Sequence, residues 1–442
     1  MNVQPKVQLS VQVGTEEDVA TVVQYANSRN LSFYAVSRGH ALTKTVARFD
    51  GIEIDLRNLD GIQIAPDNKT VHLQGGVYSY NVIRDLWDQG FVTGTGGCTC
   101  VSVIGPALGG GHGLQQGQHG LTMDHFVHLN VVLANGTAVS VNKTSNPDLW
   151  WAMRGAGHNF GIVTSWDAKI WEENFKTYFV RTYEFEGSAL EPVIDEVNRM
   201  GWDGSLDPVW LASFGLFTMN TSVSETEPTI SWTFLYNGAK EDAVPLLAPF
   251  DALEPVSVQD NTTTYRTIND LVGGAIDGWL CEANKTHILG TANLQNYNVT
   301  TSRAIYDLYT EKIRQHPELG ETRVLHESYA VQGVTGFADE DSAYSQRDEH
   351  LLTYFDTRFD TTDDALISFA EEWRDQTVAL WYQGQPDRTP TTYVNYAVGY
   401  ESTESLYGHD AWRLERLRAL KREYDPSNKF SWYNPIVPVG EQ

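Results

Sequence analysis

The sequence predicts a mixed protein, α+β or α/β, of more than one part, and three observations carry that prediction. Its first third alternates short β-like runs with helical ones. A block with eight glycines in twenty positions follows, and beyond Trp171 the strands lengthen and mix with longer helices. At 442 residues, with 13 Trp, 21 Tyr and 17 Phe, the chain can fill two or three domains that each bury a core.

Residues 7–13 alternate as a strand, and Thr15-Glu16-Glu17-Asp18 supplies an N-cap and an acidic first turn for a helix ending near Asn30. Residues 33–37 form a strand leading into Arg38-Gly39-His40. Residues 52–56 and 70–74 read as further strands, and 79–89 as a helix. The glycine block runs from Gly94 to Gly113. Each glycine costs backbone entropy and offers no side chain to bury, so such a stretch survives where backbone must approach something closely. Free N–H groups in a glycine-rich turn make a nest for anionic oxygens, a pyrophosphate above all. A flexible linker is the alternative, weakened by Val101, Val103, Ile104 and Leu108 inside the block. No Gly-Lys-Ser/Thr follows, so it is not a Walker loop.

From Asn146 the chain reads as a helix, a second glycine-rich turn and a strand. Strands over 209–218 and 229–236 and helices over 302–315 and 362–378 follow. A boundary is expected near residue 175, giving parts 1–175, 176–398 and 399–442.

The formal net charge of −26 has no basic cluster to offset it, which disfavours nucleic acid and anionic membranes. No apolar stretch approaches the ~20 residues of a membrane span. Asn-x-Ser/Thr triplets begin at Asn30, Asn68, Asn135, Asn142, Asn220, Asn261, Asn284 and Asn298, which favours N-glycosylation and a secretory route over chance. No apolar run follows Met1-Asn2-Val3-Gln4, so a leader is either absent or already removed. Three cysteines, Cys98, Cys100 and Cys281, are too few for a disulfide framework and show no zinc spacing; a bridge between Cys98 and Cys100 would be strained.

The order of His40, the glycine block, Gly120-Leu121-Thr122-Met123-Asp124, Asp148-Leu149-Trp150-Trp151-Ala152-Met153-Arg154-Gly155 and Gly161-Ile162-Val163-Thr164 resembles the FAD domain of the vanillyl-alcohol oxidase and p-cresol methylhydroxylase superfamily. Tyr424-Asp425-Pro426-Ser427-Asn428-Lys429-Phe430 is similar to the ending of its berberine-bridge-enzyme-like branch. The resemblance implies a PCMH-type FAD-binding domain of two α/β subdomains, then a substrate domain with an antiparallel sheet backed by helices, then a C-terminal segment returning to the FAD domain. It implies FAD linked covalently through His40 and Cys98, with Cys100 left as a small buried side chain. Two links should raise the flavin's potential. Ser37, Arg38, Gly39, Gly97, Val101, Ser102, Gly105, Gly109, Gly110, Gly113, Gly161, Ile162, Val163, Asn395 and Asn428 are its expected cofactor contacts.

Hydride removal beside oxygen or nitrogen needs a base for the accompanying proton. Thr392-Tyr393-Val394-Asn395-Tyr396 resembles the family's Tyr-x-Asn-Tyr strand, in which alternation puts Tyr393 and Asn395 on one face and Tyr396 on the other. Tyr396 is the expected base and Glu327 the supporting carboxylate, with Tyr393 and His326 as rivals. Ordinary β-sheet is the plainer reading of each residue alone. Val101, three residues after Cys98, resembles an oxidase setting that admits dioxygen. Arg38 stands where the family has Gly, and Leu42 where sugar-oxidising members often have Tyr, which points to a less polar small-molecule substrate. The expected activity is an oxidase making hydrogen peroxide. A flavin-containing cyclase or isomerase, an oligosaccharide oxidase and a passive carrier are the alternatives.

Overall fold

The computed structural model describes residues 5–436 apart from 174, 203–204, 208, 283–284 and 361–362; Asn284, Thr362 and the residues after 436 thus lie outside the described residues. A three-stranded parallel sheet comes first, with Lys6–Gln12 and Ser32–Val36 flanking Asp50–Asp55. The helix Glu16–Ser28 links its outer strands. Thr15 and Asp18 cap it reciprocally, and Val19, Val23 and Ala26 pack against Phe33, Ile52 and Ile54.

The second sheet is antiparallel, in the order Ile62–Ile64, Thr70–Gln74, Ile162–Lys169, Phe126–Val132, Ala138–Val141. Between its second strand and Phe126 run the helix Ser79–Trp87 and the glycine block, whose own regular structure is one short helix, Ile104–Ala107.

Seven antiparallel strands make the third sheet: Ser257–Thr263, Tyr178–Phe185, Thr229–Tyr236, Trp210–Thr218, Arg323–Tyr329, Leu351–Phe359 and Thr286–Leu294. The helices Leu190–Arg199, Val299–Gln315 and Asp364–Gln383 back one face, where Leu190, Val193, Ile194 and Val197 join Phe217, Trp232 and Phe355 in one core. The other face turns toward the glycine block: Leu211, Ala212 and Leu352 share a core with Ile104, Leu114 and Trp151. Asp124 and Arg347, both buried, join the two sides through a forked ion pair at 2.8 and 3.0 Å.

The chain then returns to its beginning. The helix Ala411–Tyr424 ends beside buried Lys421, whose ammonium pairs with Asp425 at 2.6 Å and donates to the Asn159 and Phe430 carbonyls. Phe430 meets Phe33 edge-on, and Trp432 meets Phe49. Among the described residues no helix is long and apolar enough to cross a membrane.

Two expectations are corrected. The Thr392 to Tyr396 stretch is a turn and not a strand, closed by Tyr396 and Ala397 N–H groups on the Tyr393 carbonyl; the Asn395 amide anchors it by donating to the Pro106 carbonyl at 2.8 Å. Cys100 is not free. It is bonded to Cys281, 181 residues away, a distance in sequence over which cysteine spacing carries no signal.

Candidate active site

One cavity lies where the three sheets converge. The segment after the strand Ser32–Val36 brings Ser37, Arg38, Gly39 and His40 to it, with Gly39 at φ 75°, a left-handed conformation that lets the chain turn there. Gly97, Cys98, Val101, Ser102 and Gly105 line it from the glycine block, and Gly161, Ile162 and Val163 from the start of the strand Ile162–Lys169. Tyr393, Asn395 and Tyr396 face it from the turn, and Glu327 from the large sheet.

Strand alternation decides which residues of Arg323–Tyr329 reach the cavity. Leu325, Glu327 and Tyr329 do; across the sheet Phe214 pairs with Glu327, and Tyr354 with Leu325. His326 points the other way, among Phe217, Trp232 and Tyr297, where burial lowers its pKa to about 4. It is removed from the candidates for the base. Asn428 is removed from the cofactor contacts: it does not line the cavity, and with φ 51° it turns the chain after Asp425.

Gly109, Gly110 and Gly113 do not line it either. A side-chain carbon at Gly109 would meet Asn395, one at Gly110 would meet Tyr344, and one at Gly113 would lie 2.0 Å from the Thr95 carbonyl, so these glycines let protein approach protein.

The Glu327 carboxylate is the charged centre of the cavity. Tyr329 donates to its Oε2 at 2.9 Å and Tyr396 to its Oε1 at 3.0 Å. Burial raises its pKa to about 7 against the pull of the two hydroxyls. Burial and the Glu327 charge hold the Tyr396 hydroxyl well above its ordinary value. Tyr393 has a different role in the geometry: its oxygen accepts from the Gly111 and His112 N–H groups at 3.1 and 3.3 Å and from Asn395 at 2.6 Å, which fixes the ring. The Tyr393 and Tyr396 rings touch, 5.2 Å between centres, because the turn brings onto one side what a strand would separate.

Cys98 is the free thiol among the described residues, and burial, then the Glu327 charge, pushes its pKa up to about 12. The protein around His40 lowers its imidazole pKa, partly offset by a hydrogen bond with the Arg38 backbone. Arg38 does not face open solvent: its guanidinium donates to the Gly76 carbonyl and stacks on Tyr78, 4.0 Å from the ring centre. Four buried polar atoms of cavity-lining residues lack a protein partner, namely Ser37 Oγ, His158 Nδ1, Asn269 Oδ1 and Trp432 Nε1. Each leaves hydrogen-bonding capacity on the cavity that a polar ligand can use.

Sequence reasoning missed Tyr329, Tyr354, Phe214, Asn269 and Trp279 on this cavity. Tyr329 had a signal, since it stands two residues from Glu327 on one strand and therefore on the same face. The others come from distant segments.

Residues 7–142 match the FAD binding domain family, and residues 392–437 the berberine and berberine-like family. The FAD-linked oxidoreductase anuG of Penicillium roqueforti is 43% identical over 433 residues, 98% of this chain and 85% of its own length. The chain belongs to the FAD-linked oxidoreductases. FAD-linked oxidoreductase iacH of Pestalotiopsis fici is likewise 43% identical over 439 residues, covering 98% and 84% of the two chains. Among solved structures, chitooligosaccharide oxidase has a TM-score of 0.81 at 20% identity, over 99% of this chain and 95% of that one. The 6-hydroxy-D-nicotine oxidase of Arthrobacter nicotinovorans has 0.79 at 21% identity, over 99% and 94%. This oxidoreductase therefore has the fold of those flavoprotein oxidases. Its cavity suits FAD, offering unpaired polar atoms and glycines whose missing side chains leave room: a side-chain carbon at Gly96 or Gly97 would meet no protein atom within 4 Å.

Proposed function

We propose that this oxidoreductase holds FAD covalently through His40 and Cys98 and oxidises an alcohol or amine of a largely apolar small metabolite, with dioxygen as the final acceptor. One observation carries the reading: His40, Cys98 and the Glu327–Tyr396 pair face a single cavity. A glucooligosaccharide oxidase of the same fold is described as carrying a 6-S-cysteinyl, 8α-N1-histidyl FAD, a double attachment by the same two residue types. When bound, FAD supplies a two-electron acceptor for hydride. Ser37, Arg38, Gly39, Gly97, Ser102, Gly105, Gly161, Ile162, Val163 and Asn395 would hold it, and Val101 leaves room for dioxygen.

The proton is the protein's task. Tyr396 accepts it from the substrate while passing its own to Glu327, a relay that needs no phenolate at rest. Leu42, Phe214, Val272, Leu280 and Leu325 make the surrounding walls, a lining that favours carbon skeletons over sugar hydroxyls.

A disulfide, together with exposed Asn30, Asn68 and Asn135 in Asn-x-Ser/Thr triplets, supports a secretory route and glycosylation.

Acid precipitation tests the central claim. The precipitate should be yellow, and digestion should release one species joining the His40 and Cys98 peptides through flavin; Cys98→Ala should retain the flavin on His40 alone. A colourless precipitate with free FAD in solution refutes covalent attachment. Dioxygen consumed in proportion to product distinguishes an oxidase from a cyclase.

A further inference from the structure

The cavity wall between residues 268 and 281 supplies Asn269, Val272, Trp279 and Leu280. It has little structure of its own: two single turns, Ile268–Val272 and Trp279–Cys281, joined by a loop. Ile268 at its start is buried in the main core with Val272 packed against that core, while Leu271 and Ile276 further on are exposed, so the core holds the first turn and not the rest. The other fastenings are of different kinds. The Gly274 carbonyl accepts from both the N–H and the hydroxyl of Thr99, each at 2.8 Å. A side-chain carbon at Gly274 would lie 2.2 Å from the Gly97 carbonyl, so the wall touches the Cys98 loop backbone to backbone. The Arg323 and Arg358 guanidinium groups stand 4.3 and 5.0 Å from the centre of the Trp279 ring. Arg358 also donates to the Trp279 carbonyl, Asp270 pairs with Arg84 at 3.7 Å, and the Cys100–Cys281 bond is the covalent fastening.

The placement of that bond is specific. Cys100 follows Cys98 by two residues, and Cys281 follows Trp279 by two. The bond therefore ties the loop carrying a flavin-attachment residue to the turn carrying an aromatic wall residue. Asn269, 3% exposed, presents an unpartnered amide oxygen on the same wall, a group that needs a ligand donor at a fixed distance.

We infer that the Cys100–Cys281 disulfide is a positioning element of the active site, setting the distance between the wall of Asn269, Val272, Trp279 and Leu280 and the cofactor's reacting edge. The inference rests on the flavin reading of the cavity. Reduction by dithiothreitol moves two electrons and two protons: the bond becomes two thiols and the reagent becomes its cyclic disulfide. The Trp279 end of the wall then keeps only its hydrogen bonds and cation–π contacts and opens more readily, while Ile268 and Val272 still anchor the other end.

Three forms of the FAD-loaded protein test this: oxidised wild type, wild type reduced with dithiothreitol and then freed of it, and the Cys100→Ser/Cys281→Ser double variant. Hydrogen–deuterium exchange of peptides covering 268–282 is the deciding readout, with bleaching by sulfite, which adds to oxidised flavin, as a probe of access. Without the bond, amides in this segment should exchange about tenfold faster or more, the order expected when a cross-link closing a long loop is removed. Sulfite bleaching should accelerate, while the acid precipitate stays yellow because neither cysteine is an attachment point. Unchanged exchange in a yellow protein overturns the inference, and a colourless wild type overturns the flavin reading instead. Should the double variant fail to fold, the reduced wild type decides alone.

Discussion

Burial that raises Glu327 to about 7 leaves its carboxyl close to half ionised at neutral pH, which suits the proton-accepting role proposed for it. Only the ionised form can receive the Tyr396 proton. Flavin reduction should therefore rise about tenfold per pH unit below 7 and level off above it. Glu327→Gln and Tyr396→Phe each break the relay and should slow anaerobic flavin reduction by about 10²–10⁴, with the pH dependence lost in the glutamine variant. Stability has the opposite sign. The folded pKa lies above the unfolded value of 4.5, so the stabilising contribution of this group is complete below about 4.5 and is lost as pH rises through about 7. Glu327→Gln should then unfold at no lower temperature than wild type at pH 8, separating loss of function from loss of fold. A rate fall below roughly fivefold, well under the usual range, would clear both residues. That Tyr396 and, more loosely, Glu327 would line the cavity was legible through the family resemblance. The rivalry with His326 was not soluble from sequence, because strand period two says that neighbours face apart but not which face the helices cover.

At the scale of elements, the glycine block divides in two. Read from sequence it is one ligand cradle, since spacing alone cannot separate close approach to a ligand from close approach to another loop. The structure gives Gly96, Gly97 and Gly105 to the cavity and Gly109, Gly110 and Gly113 to contacts within the protein. A matched pair of variants separates the two. Gly113→Ala drives a methyl into the Thr95 backbone and should cost about 1–3 kcal/mol, read as a lower urea midpoint. Gly97→Ala meets no protein atom, so its midpoint without cofactor should match wild type while its flavin-to-protein absorbance ratio falls. The turn at Thr392 to Tyr396 was unreadable for a related reason: its residues favour strands, and a tertiary anchor on Pro106 overrides that preference.

Across the whole molecule, the mixed fold, its early strands and helices and its later long strands followed from hydrophobic period and capping residues, and the antiparallel pairing of the long strands from the family resemblance. What joins them did not. The Asp124–Arg347 pair and the Cys100–Cys281 bond connect segments far apart in sequence, where local patterns say nothing. Asp124→Asn leaves the Arg347 charge buried without its counter-ion and should cost about 3–5 kcal/mol in denaturant unfolding. A loss under about 1 kcal/mol, the size of an exposed pair, would show that the two sides are held by apolar packing alone.

The return of the chain to its beginning also dictates a timetable. Phe430, Trp432 and Tyr433 form part of the cavity wall, and two of them close on Phe33 and Phe49. A ribosome delivers the early residues long before the late ones, and domains generally fold as units once their parts are present. During synthesis the first sheet therefore waits with an open side, its aromatic residues available to chaperones. Uptake of the cofactor belongs after translation, and a chain broken off before residue 430 is lost before it can become a flavoprotein.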